Sequence, residues 1–472
     1  VTGRPARRWP PRRSPFGTGQ GFDRGLIAPL VLGSLLNPVN SSMIAVSLVP
    51  IGVAFGAPPS MTVWLVSALY LATAVGQPVV GRLVDRFGPR PLYLAGAALV
   101  GVAGAIGTAA PDLAYLIFAR VLIGLGTSAA YPAAMYLIRS ESARTGWDTP
   151  AGVLTALVVA AQTTVVIGPA LGGVLVWLGG WRTIFAVNVP LAVVCLLLGR
   201  RRLPRNPTQA PEVRDERSTE LDGVGMLLFA AMLTSLLLFL MAPRAANWYL
   251  LPVGALLGAG LAVRELRSAS PFLDLRLVRG NRPLLATYLR QTLSYTVAYS
   301  VIYGYTQWLE ATRHLSEIAT GLVLLPLALV GVVVATTTGR RRELRGKLVV
   351  GSLCMALASV VILSLHPRSP LWLLIAVVVI SGVPQGLNGL ANQNALYWQA
   401  PDGRVGTSAG LLRTAQYLGA LVSSALIAGS FSGGAHTGGL HSLGLVMLGC
   451  ALLLLAVTLL DPSLRRLSRP AE

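Results

Sequence analysis

Apolar runs about as long as a lipid bilayer is thick recur along this entire chain, and no other feature limits its folding as tightly. Lipid offers a peptide group no hydrogen-bond partner, so each crossing must be a helix of roughly 20 mostly apolar residues. On that rule spans fall near 26–50, 62–80, 91–110, 113–136, 153–177, 182–199, 223–243, 247–264, 283–307, 316–338, 348–366, 371–392, 406–430 and 441–460, fourteen in all. Composition agrees: of 472 residues 54% are hydrophobic and only 12% charged, with a mean hydropathy of +0.65. The expected fold class is an all-α membrane protein. No nucleophile, base and orienting group converge in any polar segment, so an enzyme is not expected.

The net charge of +20 would suit a nucleic-acid partner if it lay on one polar domain. Instead the basic residues sit in short runs between apolar segments, where they report topology and imply no nucleic acid. Three arginines fall inside spans (Arg120, Arg290, Arg413), and four fall in loops assigned to one side (Arg182, Arg244, Arg313, Arg368). All the others share the side of both termini. One span missed or invented in mid-chain would scramble that asymmetry, so it supports the count and places both ends in the cytoplasm. Cys195, Cys354 and Cys450 lie in apolar runs without a CxxC, and His314, His366, His436 and His441 form no ligand pair. No metal and no cofactor is expected.

Polar stretches divide the chain. Residues 1–24 read as a disordered basic tail, 25–202 as a six-helix bundle and 203–222 as a cytoplasmic linker. Residues 223–264 read as an inserted hairpin, 265–282 as a loop, 283–462 as a second six-helix bundle and 463–472 as a tail. The two sixes repeat a pattern at the same place: Gly81, Asp85 and Gly88 after the second span, Gly339, Glu343 and Gly346 after the tenth. Parallel repeats of this kind suit halves that rock about a central site.

Three further motifs carry chemistry. GRLVDRFGPRP, from Gly81 to Pro91, combines glycines for a tight turn at the membrane surface with Asp85, which can pair with a neighbouring arginine such as Arg86 or cap a helix N-terminus. Arg120, in FARVLIGLG, lies six residues past the start of its span, where a charge costs about 2.5–3.5 kcal/mol and so argues for function. Gly168-Pro169-Ala170-Leu171-Gly172-Gly173 removes a backbone donor and opens a surface for close helix approach.

Together with Trp181 to Pro190, these residues resemble the major facilitator superfamily, in particular its fourteen-span drug/proton antiporters of the quaternary-ammonium-exporter type. The resemblance covers nearly the whole chain from about residue 26 to 460. It implies a latch between conformations at Gly81, Asp85, Arg86 and Gly88, a buried arginine at Arg120, and the antiporter signature at Gly168, Pro169 and Gly172. Two positions depart from the pattern: Ile123 stands where Gln is usual, and Asn40 where helix one usually carries Asp. An amide cannot carry a proton.

Family architecture puts helices one, four, nine and twelve around the cavity. These spans offer Asn37, Asn40, Ser41 and Ser47, then Gln291, Tyr295, Tyr299, Tyr303 and Gln307, then Gln385, Asn388 and Asn392, at steps that place each set near one face. No acid falls mid-span: Glu310 and Glu317 sit at an outer rim and Asp112 in an outer loop. With Arg120, Arg290 and Arg413 embedded, the cavity is expected to be neutral to positive and to take a neutral or anionic amphiphile. The implied function is secondary active export of small amphiphiles across the plasma membrane by alternating access, driven by protons if it follows the family. An uncoupled facilitator or exchanger, or a transport-inactive scaffold or sensor, stay open. Membrane lipid is the expected surrounding and a monomer the expected state, since no coiled-coil segment demands a partner.

Overall fold

A computed structural model describes residues 23–57, 59–62, 64–145, 151–205, 222–241, 245–268, 271–272, 280–315, 317–339, 343–401, 404–431 and 435–467. Most of the expected N-terminal tail, most of the 203–222 linker, residues 273–279 of the 265–282 loop, the last five residues and Arg244 lie outside them. Among the described residues there are helices and turns but no strand.

The first half runs through α1 (Ile27–Met43), a 3-10 stretch (Ile44–Ser47) and α2 (Leu48–Phe55). It continues with α3 (Trp64–Phe87), α4 (Pro89–Thr108), α5 (Leu113–Thr127), α6 (Ala130–Thr145), α7 (Ala151–Gly179), α8 (Arg182–Ala186) and α9 (Asn188–Arg202). Next come α10 (Gly223–Met241) and α11 (Leu250–Arg267). The second half holds α12 (Arg282–Tyr299), a π-helical segment (Ser300–Tyr305), α13 (Thr306–Arg313), α14 (Glu317–Thr338), α15 (Leu344–Leu363), α16 (Leu371–Gln399), α17 (Val405–Ser430) and α18 (Thr437–Leu460). Among the described residues nine helices are long and apolar enough to cross a membrane. Four segments expected to run unbroken are interrupted, the first by its 3-10 stretch, the fourth by a turn at Ser128 and Ala129, the sixth at Val187 and the ninth by its π segment. A π segment shifts the face a helix presents, and such breaks gather at functional sites.

Burial is inverted relative to a soluble protein. Trp177, Leu256 and Leu460 are 82%, 76% and 81% exposed, while Asn392, Arg120 and Arg290 are fully enclosed. Apolar surface facing outward and polar groups facing inward is the arrangement lipid favours.

Contacts between helix ends define a basic face. Asp23 N–H donates to Glu141, Arg90 to the Arg200 carbonyl, Asn281 to the Gln399 carbonyl, Gln399 to Ser463, and Arg139 to the carbonyls of Tyr397 and Ala400. At this face the two halves share one apolar core, in which Leu30, Tyr93, Leu137 and Leu154 pack with Leu284, Leu390, Val405 and Leu412. Away from it the cores separate. One, around Ile51, Leu65, Leu116 and Phe185, belongs to the first half, and the other, around Tyr305, Trp308, Leu374 and Leu443, to the second. The α10–α11 pair, through Phe229, Leu233 and Leu261 and with Phe272 beyond α11, packs in one cluster with Ala74 of α3 and Tyr417 of α17.

Candidate functional site

Arg120 lies about two turns into α5 with no exposed surface. Its Nε donates to the Leu65 carbonyl at 2.6 Å and its Nη1 to the Asn40 carbonyl at 3.0 Å. A carbonyl oxygen has two lone pairs, so it can serve its own helix and the guanidinium together. The cation is therefore solvated by the backbones of α1 and α3. Its Nη2 has no partner among the described residues, and Tyr70 lies within its electrostatic reach.

Helix α1 supplies two amides with different commitments. Asn37 donates to Thr73 at 3.2 Å and Thr127 at 3.0 Å and accepts from the Tyr417 hydroxyl at 3.1 Å, so one side chain joins α1, α3 and α5 to α17 of the other half. Asn40, expected beside it on the cavity face, instead donates to Asn188 of α9 at 2.6 Å and to the Leu36 carbonyl at 2.9 Å. Helix α7 presses onto the same α1: a Cβ on Gly168 would collide with Ser42, and one on Gly172 would stand 2.8 Å from the Met43 carbonyl oxygen. Pro169 lies inside α7, but its side chain lies outside the described residues.

Tyrosines gather where the halves meet. Tyr295, Tyr299 and Tyr303 form a ladder with ring centroids 5.9 Å and 5.6 Å apart, the second pair within 11° of parallel. Tyr303 is 42% exposed. From the first half Tyr70 reaches Ser41 and Tyr303 and lies 5.7 Å, centroid to centroid, from Tyr417. Behind the ladder the amides pair among themselves: Asn392 donates to Gln291 at 3.0 Å, and Asn388 to Ser294 at 3.3 Å. Gln385 and Asn388 line a small crevice with Tyr295, Ser381 and Met355. The side-chain oxygens of Asn388, Asn392 and Ser381 are buried without a partner among the described residues. An unsatisfied buried acceptor is costly, so these mark places where water or solute belongs.

At the basic face Asp85 closes the seam. Its carboxylate accepts from Gly406 N–H at 2.7 Å, Thr407 N–H at 2.8 Å and the Thr407 hydroxyl at 2.7 Å. The acid thus caps the N-terminus of α17, a helix of the other half more than 300 residues away. Free N–H groups and the helix dipole both favour an anion there, and charge-assisted bonds contribute about 1.5–3 kcal/mol each. Gly81 was expected to serve the surface turn, but α3 continues past it, and its missing side chain admits the Gly406 backbone. Gly88 makes the turn alone, at φ +86°, with Pro89 opening α4 directly after it. Arg86 is exposed over the Phe87 ring. Buried Arg82 feels both Asp85 and Glu265 of α11.

One expectation about charge needs correction. Arg290 does not add a free cation to the cavity, because its Nη1 pairs with Asp461 at 2.8 Å and its Nη2 donates to Thr287 at 2.7 Å. The sequence hides this pairing, since Asp461 stands 171 residues away at the end of α18. Glu310 is exposed, and the Glu317 side chain lies outside the described residues. Sequence reasoning also missed Tyr70, Tyr131, Tyr417, Asn188, Gly406 and Thr407, which lie outside the polar sets read on helices one, four, nine and twelve. The signal for the last two was present as VGTSAG, a run of small residues opening a helix. Among the described residues no three His, Cys, Asp or Glu side chains gather where they could hold a metal ion.

The sequence profile of the Major Facilitator Superfamily matches residues 30–424. An uncharacterized MFS-type transporter of Bacillus subtilis (strain 168), YwoD, is 33% identical over 399 residues, covering 83% of this chain and 86% of its own. The multidrug efflux pump LfrA of Mycolicibacterium smegmatis is 29% identical over 84% of this chain and 79% of its own. The crystal structure of the human organic anion transporter MFSD10 superposes with a TM-score of 0.66 at 16% identity, covering 93% of this chain and 100% of that one, which speaks to fold.

Proposed function

The chain belongs to the major facilitator superfamily, a multi-pass membrane transporter and not an enzyme, and from that premise we propose that it exports small amphiphilic compounds by alternating access. The finer reading is a fourteen-span protein in the plasma membrane, two six-helix bundles with a hairpin over 223–264 inserted between them and both termini in the cytoplasm. It is supported by helix in each of the fourteen apolar segments and by the gathering of arginine-bearing helix ends on one face, as the positive-inside rule asks.

The observation that carries the reading is the division of cores. The halves share one at the basic face and keep two separate ones at the far end. With the basic face toward the cytoplasm, this division supports a state closed on the inside, which a transporter must exchange with the reverse state. In this proposal Gly81, Asp85, Arg86 and Gly88 form the inner latch. Arg120, Gly168, Pro169 and Gly172 surround helix α1 and transmit coupling. Asn37, Gln291, Tyr295, Tyr299, Tyr303, Gln385, Asn388 and Asn392 line the solute path. The similarity to a multidrug efflux pump over most of the chain supports the direction.

A second reading, facilitated or exchange transport without protons, is favoured by Asn40, whose amide is committed to Asn188 where a titratable acid would stand. Proteoliposomes carrying the purified protein, tested against a panel of amphiphilic dyes with and without an imposed pH gradient, separate the two. Gradient-driven movement supports coupled export, and movement indifferent to the gradient selects the facilitator. If no dye moves faster than in empty vesicles, both readings fall.

A further inference from the structure

We propose that Arg413 anchors the acidic group of a planar aromatic solute whose rings lie against the Tyr295–Tyr299–Tyr303 ladder. The proposal rests on the transport reading above and narrows its substrate class to aromatic anions.

The three embedded arginines differ in what holds them. Arg290 is neutralised by Asp461, and Arg120 is wrapped by two backbone carbonyls with no exposed surface. Arg413, on α17, is only half-buried. Its Nη1 donates to Gln416 at 2.9 Å, its Cζ stands 4.0 Å from the centre of the Tyr131 ring, and no carboxylate pairs with it among the described residues. A guanidinium has five N–H donors in a planar fork suited to a carboxylate or sulfonate, and the bonds to Gln416 and to the Tyr131 hydroxyl leave donors of that fork to spare. The Tyr131 ring beneath it holds the guanidinium in place.

The surroundings fit one ligand chemistry. Thr292, one turn before Tyr295, donates to the carbonyl of Ala415, two residues past Arg413, at 3.1 Å, and Tyr295 lies within electrostatic reach of Arg413, so the cation sits beside the helix that carries the ladder. The ladder rings are too close together to admit another ring between them, yet Tyr303 is 42% exposed and Tyr295 and Tyr299 are partly so. A flat solute therefore lies along them, gaining aromatic contact and phenol hydrogen bonds at once. A lipophilic cation would meet the same rings but also an uncompensated positive charge, with no facing acid among the described residues to offset it.

Fluorescein and rhodamine 6G share a xanthene ring system and carry opposite charges at neutral pH, so they isolate the charge. With protein in lipid nanodiscs, fluorescein is expected to bind more tightly than rhodamine 6G. Arg413→Gln should weaken fluorescein by about tenfold or more and leave rhodamine 6G unchanged or tighter, while Arg413→Lys recovers part of the loss. Tyr299→Ala should weaken both dyes. Thermal melting of each variant checks that it folds, and the lysine variant keeps the test alive if Arg413→Gln does not. Equal fluorescein affinity in parent and folded Arg413→Gln, or a parent preference for rhodamine 6G, overturns the anchor. Rhodamine 6G export by the parent in that case leaves the transport reading standing, whereas failure to move either dye or any panel compound removes both.

Discussion

Two seams join the halves at the basic face, and they are built from the same sequence pattern to different ends. In the α3–α17 seam, Gly81 lets the Gly406 backbone in and Asp85, one turn on, caps α17 with three hydrogen bonds. In the α14–α7 seam Gly339 likewise makes room, there for Thr155, but Glu343, at the matching spacing, sits at the N-cap of its own α15 and makes no side-chain cap hydrogen bond among the described residues. The reason is local. Helix α3 stays helical through Phe87, so Asp85 is carried on a rigid turn toward its neighbour, whereas α14 ends at Thr338 and the acid falls beyond the helix. Pseudo-symmetry of sequence therefore gives one seam a carboxylate lock on the facing helix that Glu343 does not repeat among the described residues.

Breaking the locked seam should have the largest effect. Asp85→Ala removes three bonds to a helix terminus, about 3–5 kcal/mol of bias toward the closed basic face. Transport is expected to fall at least about tenfold, and spin labels placed across that face should report a wider distance. If the distance distribution is unchanged, the carboxylate is not what holds the face shut. Gly406→Val ranks next, because even a Cβ there would stand 2.6 Å from the Gly81 carbonyl and 2.8 Å from Asp85 Oδ1. It should reproduce the wider distance with the acid still present. For the packed seam, Gly339→Val should reduce transport by about threefold, and adding Thr155→Ala should recover much of it, as neighbours in contact couple. Glu343→Gln should stay within about twofold of the parent. A tenfold loss there would mean the two seams are more alike than their geometry says.

Helix in the apolar segments, the buried Arg120 and an Asp85 able to cap a helix were readable in the sequence, because each departs from what lipid tolerates or from what a loop requires. Partners were another matter. Nothing local to Asp85 points to Thr407, and nothing local to Arg290 points to Asp461, since both pairings depend on how helices hundreds of residues apart are laid side by side. Periodicity did place the tyrosine ladder on one face. It missed Tyr70 and Tyr417, because the helices carrying them were not expected to line the cavity, and it could not foresee the π segment that shifts the face of α12 past Tyr299. Gly81 was read as a turn residue for the same reason: a glycine's value at a close crossing is invisible until the crossing is known.

The turn at Gly88 is a single residue long, flanked by Phe87 at the end of one helix and Pro89 at the start of the next. So short a joint holds the two helix ends within one residue of each other, so the end of α3 cannot be displaced without carrying the start of α4 with it. Any shift of α3 at the Asp85 contact is therefore felt first at the N-terminus of α4, next to the basic face.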